Sequence, residues 1–173
     1  MKLTIIINGS GGVGKDTLCR IAAHYYRVRN ISSITPIKEI AKHCGWTGEK
    51  TDKARKFLAD LKALCVAYND LPSNWLMAEY RDFLTTDEEI LFIHIRESEE
   101  IAKFVALTEG KAKTLLVRGG ARMASRTGAY GNHADDDVED YQYDYYFDND
   151  KPLRQVEPLF HLLLQQMFED LEK

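Results

Sequence analysis

The stretch Gly9-Ser10-Gly11-Gly12-Val13-Gly14-Lys15-Asp16-Thr17 carries the most specific chemistry in this sequence. A glycine, four residues, then Gly-Lys and a short polar side chain is the spacing of a phosphate-binding loop. In such a loop successive backbone N–H groups curl around an anion, and the helix that follows adds partial positive charge at its N-terminus. Gly9, Gly11, Gly12, Val13 and Gly14 supply that backbone. Lys15 supplies a charge-assisted donor for the outer phosphates, a contact worth about 1.5–3 kcal/mol. A dinucleotide-binding turn fits less well. Gly9, Gly11 and Gly14 satisfy its glycine spacing, but a lysine follows at once and no acidic ribose-binding residue ends a second strand about twenty residues later. Nucleoside triphosphate binding, with ATP and Mg²⁺ as the expected pair, is the better reading. Position 16 departs from the usual hydroxyl: Asp16 is either a metal or substrate ligand or a helix cap, and Thr17 offers a hydroxyl one position later.

The loop needs a strand before it and a helix after it, and the pattern supplies both. Leu3-Thr4-Ile5-Ile6-Ile7 reads as a strand covered on both faces of a parallel sheet. Leu18, Ile21, Ala22 and Tyr25 are spaced as one stripe of a helix from Lys15 to about Arg27. Further along, strands are expected over residues 31–35, 90–95, 114–117 and 143–147. Helices are expected from Pro36 to Gly45, over residues 50–84 with a break at Leu71-Pro72-Ser73, over 97–107, and from Pro152 to Leu171. Strands alternating with helices predict a doubly wound parallel α/β sheet in three layers, folded as a single domain over residues 1–173.

Composition narrows the class. The chain has 173 residues and a formal charge of −4, from 23 Lys+Arg against 27 Asp+Glu, and no basic stripe stands out. Nucleic acid and anionic membranes are therefore not expected partners. No apolar run approaches the length of a membrane span, and the apolar stretch at Leu3–Ile7 is too short for a signal peptide. Cys19, Cys44 and Cys65 fit neither a disulfide framework nor zinc-ligand spacing, so reduced thiols, mostly core or half-buried, and a cytoplasmic location are expected. The oligomeric state is left open, a homodimer included.

Gly14-Lys15-Asp16-Thr17 resembles the deoxynucleoside monophosphate kinase-like branch of the P-loop kinases, and animal phosphomevalonate kinases carry a similar Gly-Lys-Asp. Other stretches resemble that branch in the same order. They are Thr35-Pro36-Ile37-Lys38-Glu39-Ile40-Ala41, then Asp52 and Arg55, and Ile95-Arg96-Glu97-Ser98-Glu99-Glu100. Asn132-His133-Ala134-Asp135 and Tyr145-Tyr146-Phe147-Asp148-Asn149-Asp150 complete the series. The resemblance implies strand order 2-3-1-4-5, a helical acceptor-binding insert over about residues 36–85 and a short lid over 118–131. It implies a phosphotransferase acting on a small phosphorylated acceptor, above all a (deoxy)nucleoside monophosphate. A phosphomevalonate-like acceptor and a nucleotide-binding regulator without turnover are the alternatives. His94 stands where related enzymes often place an acidic residue, which shifts more of the metal's coordination onto Asp16.

Transfer chemistry asks for positive charge around the moving phosphoryl group. Arg118, Arg122 and Arg126 are candidates for closing over a triphosphate, with a solvated helix face as the plainer explanation of their spacing. Arg96, at the end of an apolar strand, is a candidate anion contact, unless it pairs locally with Glu97, Glu99 or Glu100. Lys38, Asp52 and Arg55 are acceptor-side candidates that an ordinary exposed helix would also carry. His133 is either a base or lid contact or a structural histidine. Asp135-Asp136-Asp137 reads as a solvated capping turn in preference to a metal site.

Overall fold

The computed structural model describes residues 1–119 and 137–173. Five strands form one parallel sheet: β1 (Leu3–Asn8), β2 (Val28–Ser32), β3 (Ile90–His94), β4 (Lys113–Gly119) and β5 (Tyr145–Asn149). Their order is β2-β3-β1-β4-β5, as expected. The helices are α1 (Lys15–Ala22), α2 (Thr35–His43), α3 (Asp52–Asn69), α4 (Leu71–Phe83), α5 (Ser98–Leu107) and α6 (Leu153–Asp170). A 3-10 turn spans Asp137–Asp140.

Side-chain alternation divides the core in two. Leu3, Ile5 and Ile7 of β1, Ile90 and Phe92 of β3, and Leu115 and Val117 of β4 pack against α1 and α6. The intervening Ile6, Leu91, Ile93 and Leu116 pack against Leu76, Tyr80 and Phe83 of α4 and Ile101 and Phe104 of α5. Successive strand residues point to opposite faces, so two covered faces require apolar residues at both parities. The register sets Ile7 beside His94 and Asn8 beside Leu116, which fixes what meets at the C-terminal edge.

Several boundaries differ from the sequence reading. α1 ends at Ala22, and the chain turns at once so that β2 begins at Val28. The reason is pairing across the edge: Glu89 N and Ile90 N both donate to Arg27 O, at 2.7 and 3.1 Å. Arg29 then ties this edge strand to the end of α4 through Glu79 (3.1 Å), Asp82 (2.8 Å) and Glu88 (2.6 Å). An arginine inside a strand breaks the apolar pattern, so the strand's start was hidden. The helix break falls at Asp70, whose left-handed φ of 55° separates α3 from α4. Leu71-Pro72-Ser73 lies inside α4, where proline suits a first turn. β5 starts at Tyr145, after Asp144 has accepted from Thr114 N and Thr114 Oγ1 at 2.8 and 2.9 Å.

Phe57, Leu58, Leu61, Leu64, Cys65 and Tyr68, at three- and four-residue intervals, fall on one long helix, yet only Ala54 of α3 is buried. Leu64 is 69% and Tyr68 89% exposed. Of the cysteines, Cys19 is buried, Cys65 intermediate and Cys44 exposed, and none is in a disulfide. Among the described residues no helix is long and apolar enough to cross a membrane.

This division sets a stability test. Phe92, fully buried in the central sheet, should cost about 3–5 kcal/mol on truncation to alanine. Leu64→Ala on the exposed flank of α3 should stay within about 0.5 kcal/mol. Urea unfolding of the two variants checks both, and comparable losses would contradict the core assignment.

Candidate phosphate-binding site

Buried strands position the loop. β1 delivers Asn8 at 1% exposure, and the chain then bends through Gly9. A Cβ at Gly9 would run into the Val117 carbonyl and meet Val13 Cγ2 at 2.9 Å, so only glycine lets the loop lie this close to β4. Gly14, in the left-handed region at φ 94°, opens α1, and Leu18 N donates to its carbonyl at 3.0 Å. From the far side Asn149, buried at the end of β5, donates to Val13 O at 2.8 Å. Lys15 Nζ folds over the loop and donates to Gly9 O at 2.5 Å and Ser10 O at 3.2 Å. The loop and its lysine are thus arranged before any anion arrives, as a phosphate cradle requires.

Beside the loop stands His94, and its parity explains why. It continues the row of Ile90 and Phe92, which faces α1. Its Nε2 lies 2.8 Å from Asn30 Oδ1, 3.8 Å from Asp16 Oδ1 and 3.9 Å from Cys19 Sγ. Burial pushes the imidazole below its ordinary value, the Asp16 carboxylate opposes that shift, and Lys15 and Arg96 reinforce it. These four groups therefore share one field. Cys19 is pushed up to about 12, by burial first and by Asp16 second, so it is a protonated packing residue and not a nucleophile. Asp16 is 86% exposed on its side chain and makes no cap bond for α1. Thr17 Oγ1 accepts from Arg20 at 3.2 Å. A carboxylate with a neighbouring hydroxyl is a hard-oxygen donor set suited to Mg²⁺, and the accessible member of it is Asp16.

The acceptor-side candidates separate. Arg96 is exposed at the exit of β3 and makes no ion pair with a described residue, while its carbonyl accepts from Asn8 Nδ2 at 3.0 Å. Local pairing is taken up by another residue. Lys62 of α3 reaches Glu97 at 3.3 Å and Glu100 at 2.9 Å, leaving Arg96 available. At Glu97 burial is the largest influence and raises the carboxyl, but Lys62 and the hydrogen bonds together hold it below its ordinary value; Glu100 stays raised, with burial the largest cause. Lys38 is exposed on α2. Asp52 and Arg55 meet each other at 3.8 Å on the exposed start of α3. Arg118 is turned to Glu139 at 3.0 Å and covers the Tyr146 ring at 4.5 Å. Arg122, Arg126 and His133, with residues 120–136 of the expected lid and its acidic turn, lie outside the described residues.

A cavity of about 240 Å³ lies among the α3–α4 junction, α5 and the end of β2. Leu76 and Phe104 line its apolar part, and Ser33, Ser73, Glu99 and Glu100 its polar part. Ser33 N donates to the His94 carbonyl at 3.1 Å, so the cavity wall is one hydrogen bond from the residue that faces Asp16. The sequence reading gives no site role to Asn8, Asn149, Tyr143 or Lys62, although it singles out the stretch holding Asn149. For the two asparagines the available signal was a polar residue ending an otherwise apolar strand; for Tyr143 and Lys62 there was none.

No protein-family model matches the sequence, and no curated protein matches it in sequence. Solved structures do match in shape. A gluconokinase from Sinorhizobium meliloti 1021 is 18% identical, with 98% of this chain and 95% of that chain covered at a TM-score of 0.54. A thymidylate kinase from Candida albicans is 14% identical over 95% of this chain and 92% of that chain, at 0.52. The Mycobacterium tuberculosis APS kinase, solved with AMPPNP and APS, is 11% identical over 97% and 98%, at 0.51. The chain has the P-loop kinase fold.

His94 gives this site a pH signature. An imidazole held below its ordinary value of about 6.5 is protonated more readily once the chain unfolds. Stability is then intact above the ordinary value and falls as the pH drops toward the lower folded value. Between about pH 7.5 and pH 5.5 the wild-type Tm should fall more than that of His94→Gln. Superimposable Tm profiles would assign the acid sensitivity elsewhere.

Proposed function

We propose that this chain, built on the P-loop kinase fold, transfers the γ-phosphoryl group of ATP to a small phosphorylated acceptor, a (deoxy)nucleoside monophosphate in the leading reading. The observation that carries it is the glycine loop held against β4, with Lys15 folded over its carbonyls and Asp16 exposed beside it at the strand ends. In the reaction an acceptor phosphate oxygen attacks the γ-phosphorus, the bond to the β–γ bridging oxygen breaks, and ADP leaves. The loop amides and Lys15 hold the triphosphate, and Arg96 offsets charge on the acceptor side. Asp16 and Thr17 are the residues that would hold Mg²⁺, which supplies charge neutralisation to the phosphates. His94 does not deprive the site of a carboxylate, because Asp16 stands 3.8 Å away, and this favours turnover over a purely regulatory role.

The cavity favours a nucleoside over an acceptor ending in a carboxylate. Lys103 is paired to Asp70 and Glu100 to Lys62, so Glu99 leaves the lining with a negative charge that disfavours an anionic far end. Apolar walls with polar groups at one side suit a flat heterocycle.

A coupled assay of ADP release against a panel of nucleoside monophosphates and phosphomevalonate tests the reading. One nucleotide should accelerate ATP consumption many-fold, and Lys15→Ala should reduce that rate about a hundredfold or more. Asp16→Asn should lower turnover more than ATP affinity; equal small effects would reduce Asp16 to an incidental surface residue. Ser73→Phe, which fills the cavity, should raise the acceptor KM about tenfold with the ATP KM unchanged. Tight ATP binding with no turnover on any acceptor would remove the kinase reading.

A further inference from the structure

Asn8, beside the loop, makes three hydrogen bonds through its side chain. It continues the row of Thr4 and Ile6 on β1, the row that faces α4 and α5, and its side chain meets no water at 1% exposure. Every part of its amide group is engaged. Oδ1 accepts from the Gly9 N–H at 2.9 Å. Nδ2 donates to the Arg96 carbonyl at 3.0 Å and to the Tyr143 hydroxyl at 2.9 Å. The Tyr143 hydroxyl in turn donates to the Val138 carbonyl, also at 2.9 Å, in the 3-10 turn. One side chain thus joins three segments remote in sequence: the first glycine of the phosphate loop, the exit of β3, and the chain leading into β5.

A buried amide is costly unless each of its bonds is made, and packing alone would be met by an aliphatic residue at this position. What the amide adds is a fixed distance. Gly9 belongs to the half of the site that holds the donor phosphates, and Arg96 to the half that faces the acceptor. The Arg96 guanidinium makes no ion pair with a described residue, and the bond to Asn8 is made by its backbone, which leaves the side chain to face a ligand. Phosphoryl transfer depends on alignment of the reacting groups, and a displacement of about 1 Å costs on the order of a hundredfold in rate.

We propose that Asn8, seconded by Tyr143, is a positioning residue: it sets where Arg96 stands relative to the phosphate loop. The inference rests on the transfer reaction proposed above, and it goes further in assigning the alignment of the two half-sites to one buried amide. It differs from a plain structural role in what it spares. ATP binding uses the loop and Lys15, which remain when the Arg96 tether is lost.

Two variants and three readouts test this. Asn8→Asp keeps an oxygen for the Gly9 N–H but sets a second oxygen against the Arg96 carbonyl; Tyr143→Phe removes one hydroxyl and leaves the Gly9 and Arg96 bonds. With the best nucleoside monophosphate acceptor, kcat should fall about a hundredfold in Asn8→Asp and about fivefold in Tyr143→Phe. The Kd for ATP, by calorimetry, should stay within about threefold in both. Hydrogen exchange should quicken at the amides of residues 96–98 in Asn8→Asp while Ile90–His94 is unchanged. ATP affinity falling in proportion to kcat, an unaltered kcat in both variants, or unaltered exchange at residues 96–98 would overturn the assignment. Should Asn8→Asp not fold, the split between kcat and Kd in Tyr143→Phe decides. A wild type that phosphorylates no acceptor would defeat the functional reading instead, and the exchange measurement would still decide whether Asn8 holds Arg96.

Discussion

Both faces of the central sheet are covered by helices, so β1, β3 and β4 hold apolar side chains along most of their buried length and turn to polar ones chiefly where that cover ends. That end is the C-terminal edge, and Asn8, His94 and Asn149 all stand there. Parity then assigns each a direction. His94 follows Phe92 toward α1 and meets Asp16; Asn8 follows Ile6 toward the other layer and meets Arg96 and Tyr143; Asn149 follows Phe147 and holds Val13. The phosphate loop is therefore held between two buried amides, wedged against the Val117 carbonyl where no residue with a Cβ would fit at Gly9.

Charge at the site is arranged against the sign of the whole chain. Acidic residues in the helices and, in larger number, in the segments between them give the net −4, while Lys15 and Arg96 both disfavour the charged form of one histidine. Asp16 and His94 stand within 3.8 Å of each other, so an exposed carboxylate faces an imidazole whose charged form burial disfavours. A neutral imidazole at 18% side-chain exposure avoids the desolvation cost that a buried carboxylate would carry there.

The helical region over α2 to α4 obeys different forces. α3 buries almost none of its apolar stripe, and its attachment to α5 runs through Lys62 and the Glu97–Glu100 pair. Periodicity correctly announced a helix at residues 50–69 but not the absence of a covering layer, since a stripe of leucines records spacing and not neighbours. The same holds at β2, where Arg29 interrupts the apolar pattern because three carboxylates from α4 and the turn after it receive it. At Arg96 the run of glutamates that follows suggests local pairing, and only the arrival of Lys62 from 38 residues before Glu100 shows the arginine to be available.

By itself the sequence determined the parallel α/β class, the loop from Gly9 to Thr17, the site's first cation and the departure at Asp16. These are local properties: a continuous apolar run, a fixed glycine spacing and a charge next to it are all written within a few residues. The tertiary structure decided which distant side chains complete the site. Asn8 and Tyr143 are 135 residues apart, Asn149 and Val13 136 apart, and His94 and Cys19 75 apart. No periodicity links such pairs, because they meet through strand order and register, and a shift of one residue in register would turn each of these polar groups into the opposite layer.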